Sequence, residues 1–321
     1  VQTFKRSNVQ TFEDGAMQLK NLGVLLLLGA VWGASFLFIK IGVREMAPET
    51  LVAARLCIAA VLLLVVLYAR GLRLPADRRM WGHFLFTGVV GLILPYMLIT
   101  WGEQAIPSGM AAILNATTPL FTALMAYLWT REEHLTGLRL LGVAVGFAGV
   151  IVAVGVEDLS LASASTQGQI AVLVAAACYG ANGVYSRRVF RGLPPLVPAA
   201  GQMLAGAVLM APIALALGGL PSPLPSATAL GAVLALAVLG TALAYILFYW
   251  LIERLGATRT SMVTYLLPPF ALVYGALFLG ETIALNALLG LGLVIAGILL
   301  SNGISRRSPF AKAPRETPKV G

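Results

Sequence analysis

Trp32-Gly33-Ala34-Ser35 and Tyr179-Gly180-Ala181-Asn182 each set a large aromatic ring three residues before a small polar group, on one helix face. Such a pair makes and breaks no bonds; presented twice, it suits a cavity for an aromatic or amphipathic solute, or else ordinary helix packing with polar contacts. Two further stretches match each other, Asn115-Ala116-Thr117-Thr118-Pro119 and Tyr265-Leu266-Leu267-Pro268-Pro269. Proline removes a backbone donor and clashes one turn back, which partly frees the carbonyls near Leu114, Asn115, Tyr265 and Leu266. In lipid those carbonyls need partners or a wet cavity, so Pro119, Pro268 and Pro269 are expected hinges, and Asn115, Thr118 and Tyr265 expected lining. Pro95-Tyr96 does the same, with Tyr245 as its counterpart and Tyr249 one turn further on.

Arg55 is the one basic residue well inside an apolar run. Two readings stand. It holds the carboxylate of an anionic or zwitterionic solute, or it snorkels outward or ties its helix to a carbonyl or to Glu103. Its counterpart, Gln202, is neutral. Acidic residues fall in loops and tails, with Glu103, Glu253 and Glu281 at helix ends and none near a helix centre; His83 and His134 are peripheral. Two readings stay open: proton coupling through Glu103 or Glu253, and, supported at least as well, facilitated movement down a gradient. The motifs of zinc proteases, serine hydrolases and phosphate-binding loops are absent, as are paired intramembrane aspartates. No enzyme, metal or cofactor is implied. Cys57 and Cys178 lie in apolar runs, which excludes a disulfide framework.

These residues need a scaffold, and composition dictates its kind. The chain is 59% hydrophobic and 11% charged, with mean hydropathy +0.89. A soluble domain carries about 25% charge, so this is an all-α integral membrane protein. Its net charge of +9 does not point to nucleic acid, because the basic residues sit between apolar runs without interleaved aromatics. Runs of roughly 20 residues, as a ~30 Å core requires, predict ten spans. They cover 21–40, 49–69, 80–101, 107–129 and 136–156, then 168–188, 195–217, 227–250, 257–279 and 284–304.

Trp101 to Val150, through Pro119, Glu133 and Gly149, is echoed by Leu251 to Ile298, through Pro269, Glu281 and Gly297. Five spans per copy turn the second copy over, giving two inverted repeats and the basis for alternating access. The predicted division is a tail over 1–19, repeats over 20–156 and 168–304, a linker over 157–167 and a basic tail over 305–321. Residues 1–16 read as a disordered tail, and Met17 could be a natural start. With both termini in the cytoplasm, the inner segments take nearly all lysines and arginines and the outer ones only Lys40 and Arg44. Trp81, Trp101, Trp129 and Trp250 fall at span ends, where indoles anchor. Glycines such as Gly142-Gly146 and Gly290-Leu-Gly292 read as close-packing sites.

The Trp32-Gly33-Ala34-Ser35-Phe36 opening, Pro119, the Glu133-His-Leu-Thr loop, and Gly142 and Gly149 resemble EamA-type carriers of the drug/metabolite transporter superfamily. The second copy, Pro269, Glu281, Gly290 and Gly297, resembles the same module, so the likeness spans nearly all of 20–304. It implies a ten-helix inverted-repeat bundle that exports or exchanges small metabolites, with exporters of amino acids, aromatic ones among them, in the group. The expectation here is an inner-membrane exporter of amino acids, a monomer or weak homodimer. A broad drug or nucleobase permease driven by protons is the alternative.

Overall fold

Among the described residues of the computed structural model (2–130, 137–155, 160–218, 223–255 and 260–301), every regular element is a helix. Arg131, Glu132, Glu133, His134, Glu157, Asp158 and the tail beyond Ser301 lie outside them, as does the side chain of Glu253. Ten helices result: α1 (Gln2–Gly42), α2 (Pro48–Ala69), α3 (Arg78–Gly102), α4 (Ser108–Trp129) and α5 (Gly137–Val154). The second half supplies α6 (Ala164–Val189), α7 (Leu196–Leu217), α8 (Ala227–Ile252), α9 (Met262–Leu279) and α10 (Leu285–Ser301). Eight are long and apolar enough to cross a membrane, the apolar part of α1 beginning at Leu19; α5 and α10 contribute shorter apolar stretches. One expectation changes: the stretch over 1–16 read as a disordered tail is helical from Gln2 onward, continuous with the apolar helix. Neither proline nor glycine precedes Gly15 to break it.

The halves pack by exchange. Helix α1 lies against α8 and α9, while its counterpart α6 lies against α3 and α4. In the same way α3 meets α7 as α8 meets α2, and α2–α7 and α5–α10 are pairs of counterparts. Glycines permit the closest of these approaches. A Cβ on Gly33 would stand 2.6 Å from Phe270 Cβ of α9, and one on Gly180 2.8 Å from the backbone nitrogen of Thr122 in α4. In the α5–α10 seam, a Cβ on Gly149 would lie 2.6 Å from Val294 N, and one on Gly297 would strike the backbone of Gly146 and Gly142. Gly292 touches nothing, so it is no packing site; two residues from Gly290 it faces away, and Gly297 is the working partner.

The expected breaks fall at matching places. Helix α4 is interrupted between Asn115 and Thr118, and a 3₁₀ turn, Ser261–Tyr265, leads into α9 before the α-helix proper starts at Leu267. Threonines answer the freed carbonyls: Thr117 Oγ1 donates to Leu114 O at 2.6 Å and Thr118 Oγ1 to Asn115 O at 2.7 Å. The sequence gives less warning of a second matched pair. Wide π-helical turns occupy Val89–Ile93 in α3 and Val238–Leu243 in α8. Pro95 accounts for the first; Ala244 stands in its place in the second. There Thr241 Oγ1 donates to Leu236 O, five residues back, at 2.9 Å.

Candidate functional site

The π turns meet the two aromatic-polar pairs at the centre of the bundle. Each turn contains one glycine, Gly91 or Gly240, and each glycine faces the polar residue of the other half. A Cβ on Gly240 would lie 2.5 Å from Ser35 Oγ, and one on Gly91 would collide with the amide of Asn182. Ser35 is 6% exposed and donates to Val31 O at 3.3 Å; Asn182 Oδ1 accepts from Ser186 Oγ at 3.3 Å. Both residues therefore make inter-helix contacts. π turns break helix hydrogen bonding and recur at functional sites.

Arg55 occupies this centre. It is 6% exposed, its Nε donates to Thr241 Oγ1 at 2.8 Å, and its guanidinium carbon lies 3.6 Å from the centre of the Tyr96 ring. The side chain thus turns inward to α8 and α3; it neither snorkels nor pairs with Glu103 by a hydrogen bond. Tyr179, Tyr245 and Tyr249 lie within electrostatic reach of Tyr96, and Tyr179 packs against both of the main clusters of the buried core, each built from the two halves. Rings extend the cluster: Tyr245 to Tyr249 at 6.0 Å, Tyr249 to Phe248 at 5.6 Å and Phe248 to Trp32 at 5.3 Å.

The structure thus brings together Arg55, Tyr96, Tyr179 and Tyr245, with Trp32 joined through Phe248. Asn115 and Thr118 sit at the α4 break instead. The Oδ1 of Asn115 is buried without a hydrogen-bond partner, while the Thr118 hydroxyl is engaged by a carbonyl. Tyr265 packs on the core at the α9 break, three residues before Pro268 in the chain. Thr241 and the π turns escaped sequence reading. Their one signal was Gly91 standing four residues before Pro95, as Gly240 does before Ala244.

A second cluster lies at the end of the bundle where α1 finishes. Lys40 Nζ donates to the backbone carbonyl of Glu103, and to that of Ile106 at 2.9 Å, clamping α1 to the α3–α4 connection. Glu281, just past α9, caps α4: its carboxylate accepts from Ser108 N and Ser108 Oγ, both at 2.9 Å, and from Gly109 N at 3.3 Å. An acid at a helix N-terminus meets the positive end of the dipole. Gly102 and Gly168 bring α3 onto α6 there, a Cβ on either lying under 3 Å from the other's carbonyl oxygen. That end is closed.

A two-half bundle with matched helix breaks around a buried polar centre defines a membrane transporter. The EamA-like transporter family matches residues 21–155 and again 166–303, and the chain belongs to it. It is 30% identical over 282 residues to the inner membrane transporter YedA of Escherichia coli strain K12, covering 87% of this chain and 89% of that one. It is 26% identical over 272 residues to transporter YoaV of Bacillus subtilis, covering 84% and 92%. A protein of Streptantibioticus cattleyicolor named "Probable terminal-alkyne amino-acid exporter" is 29% identical over 303 residues, covering 93% and 98%. One crystal structure superposes with a TM-score of 0.63 at 21% identity, covering 89% of this chain and 98% of that one, and so shares the fold.

Proposed function

We propose that this protein exports small amphipathic metabolites bearing a carboxylate, amino acids foremost, by alternating access about the Arg55 centre. The observation that carries this reading is a buried guanidinium whose hydrogen bond goes to a neutral hydroxyl and whose face rests on a ring. A cation out of water is costly unless an anion joins it, and a solute carboxylate supplies one. The rings of Tyr96, Tyr179, Tyr245, Tyr249 and Trp32 suit the apolar part of the same molecule. The Streptantibioticus relative is named for amino-acid export, which supports the class of solute.

The second half enters the membrane inverted, and the proline breaks and π turns are the hinges about which the bundle rocks. The lysine and arginine distribution supports a reading with both termini in the cytoplasm and the closed Lys40 end outside, in the inner membrane of a bacterium. Efflux of labelled amino acids from liposomes of purified protein tests the function. The intact protein is expected to release carboxylate-bearing amphipathic solutes, and Arg55→Gln to slow that release by roughly 10- to 100-fold, the worth of a charge-assisted hydrogen bond. Counterflow of nucleobases or cationic drugs, with none of amino acids, would establish the permease reading instead.

A further inference from the structure

Glu103 stands apart among the described carboxylates. It follows the last residue of α3, a place that ordinarily meets water, yet it is 0% exposed and neither carboxyl oxygen has a hydrogen-bond partner. Its backbone carbonyl takes the Lys40 clamp, so the ammonium is spent on carbonyls rather than on the acid. Glu281, the neighbouring acid, is satisfied by the α4 N-terminus. A bare carboxylate in such a place is far costlier than a carboxylic acid, so the closed end favours the neutral form.

We propose that Glu103 is a proton-binding site of the gate: it takes a proton from the outer solution whenever the Lys40 end closes, and returns it when that end opens. The step is protonation of a carboxylate to a carboxylic acid on closure and its reversal on opening. No redox partner or net proton transfer across the membrane is involved. Four elements and one connection surround the site. Helix α1 presents Lys40, α2 presents Arg55, and Glu281 arrives from the end of α9; α6 brings Gly168 against Gly102, and Ser108 and Gly109 at the start of α4 hold the Glu281 carboxylate. Burial holds the Glu103 carboxyl well above the ordinary carboxylate range; Lys40 and Arg55 oppose this and Glu281 adds to it. Once the end opens and water enters, the burial that raised the group is lost, and it returns to the ordinary carboxylate range, ionised near neutral pH.

The sign follows. An acidic outer medium favours closure and slows release of solute outward; an alkaline one favours opening. The proposal rests on the orientation and carrier role above, but its first test does not depend on the solute. Infrared difference spectra of the full chain in lipid, without solute, should show a protonated-carboxyl band near neutral pH that Glu103→Gln removes and Glu103→Asp moves. A neutral-pH spectrum that E103Q leaves unchanged overturns the site. In liposomes, efflux from the unmodified protein should fall roughly tenfold per unit of acidification across the titration, the ratio that one pKa unit represents. E103Q should be slow and flat with outer pH, while E103D should stay pH-dependent. An E103Q profile that follows the parent's overturns the gating role even where the infrared band is lost. Failure of amino acids to move would sink the solute assignment and leave the infrared result standing.

Discussion

At the scale of single residues, chemistry was legible by type but not by surroundings. Arg55 announced itself as a cation in an apolar run; its partners, Tyr96 and Thr241, lie 41 and 186 positions along the chain and share no local pattern with it. Thr241 has a direct test. Replacing it by valine keeps the shape but removes the acceptor for Arg55 Nε, which should cost about 1.5–3 kcal/mol in thermal unfolding of the purified protein. Transport by that variant should fall with it. Tyr96→Leu takes away the ring face under the guanidinium, worth about 2 kcal/mol when desolvated, so solute affinity should weaken by roughly 30-fold in a binding titration. Trp32→Ala and Tyr179→Ala should each slow efflux; unchanged rates in both would count heavily against the aromatic cluster as the solute's seat. Glu103 lies at the helix end where it was expected, but its burial was not legible, because position along a helix reports depth on its axis whereas burial depends on what packs from the side. Lys40 was read only as a topology signal for the same reason.

Whole elements were read far more easily. Lipid admits few solutions, so ten apolar runs of the necessary length mark ten helices, and prolines mark the breaks in α4 and α9. The π turns stayed hidden, since Ala244 and a lone glycine carry no helix-breaking signature; the turn in α8 is stabilised by a threonine reaching five residues back. Glycines offer the sharpest test at this scale. Gly297→Ala puts a methyl against the backbone of α5, which cannot give way like a flexible side chain, and should lower stability by about 1–3 kcal/mol. Gly292→Ala, five residues away and open to the surroundings, should be neutral or slightly stabilising because alanine favours helix. Thermal unfolding of the two variants side by side separates packing from propensity. Pro119→Ala should straighten α4 and slow transport without loss of folding, since the hydroxyls of Thr117 and Thr118 already satisfy the neighbouring carbonyls.

For the whole molecule, the repeat in the sequence foretold two copies, but not that they would pack by exchange. Within either half, α1 or α6 would lack the neighbours it meets in the full chain, so each five-helix half expressed alone should fail to fold. Co-expression of the halves as separate chains should restore transport. Orientation is a separate question with a simple measurement. Single cysteines at Arg73 and Glu45, in a background without Cys57 and Cys178, should react differently with a membrane-impermeant reagent on intact cells. Labelling at 45 and protection at 73 is the expected outcome.

The departure from symmetry at Arg55 has a historical side. An ancestral pair of identical five-helix chains would carry every charge twice, and a guanidinium in both copies would set two cations in one low-dielectric interior. Here the counterpart is Gln202, 7% exposed, whose side-chain oxygen finds no hydrogen-bond partner. Two copies joined in one chain are free to differ, so a single charge can stand without a second opposite it. The fusion is then hard to reverse: neither half can stand in for the other, and two copies of the first would be electrostatically self-defeating.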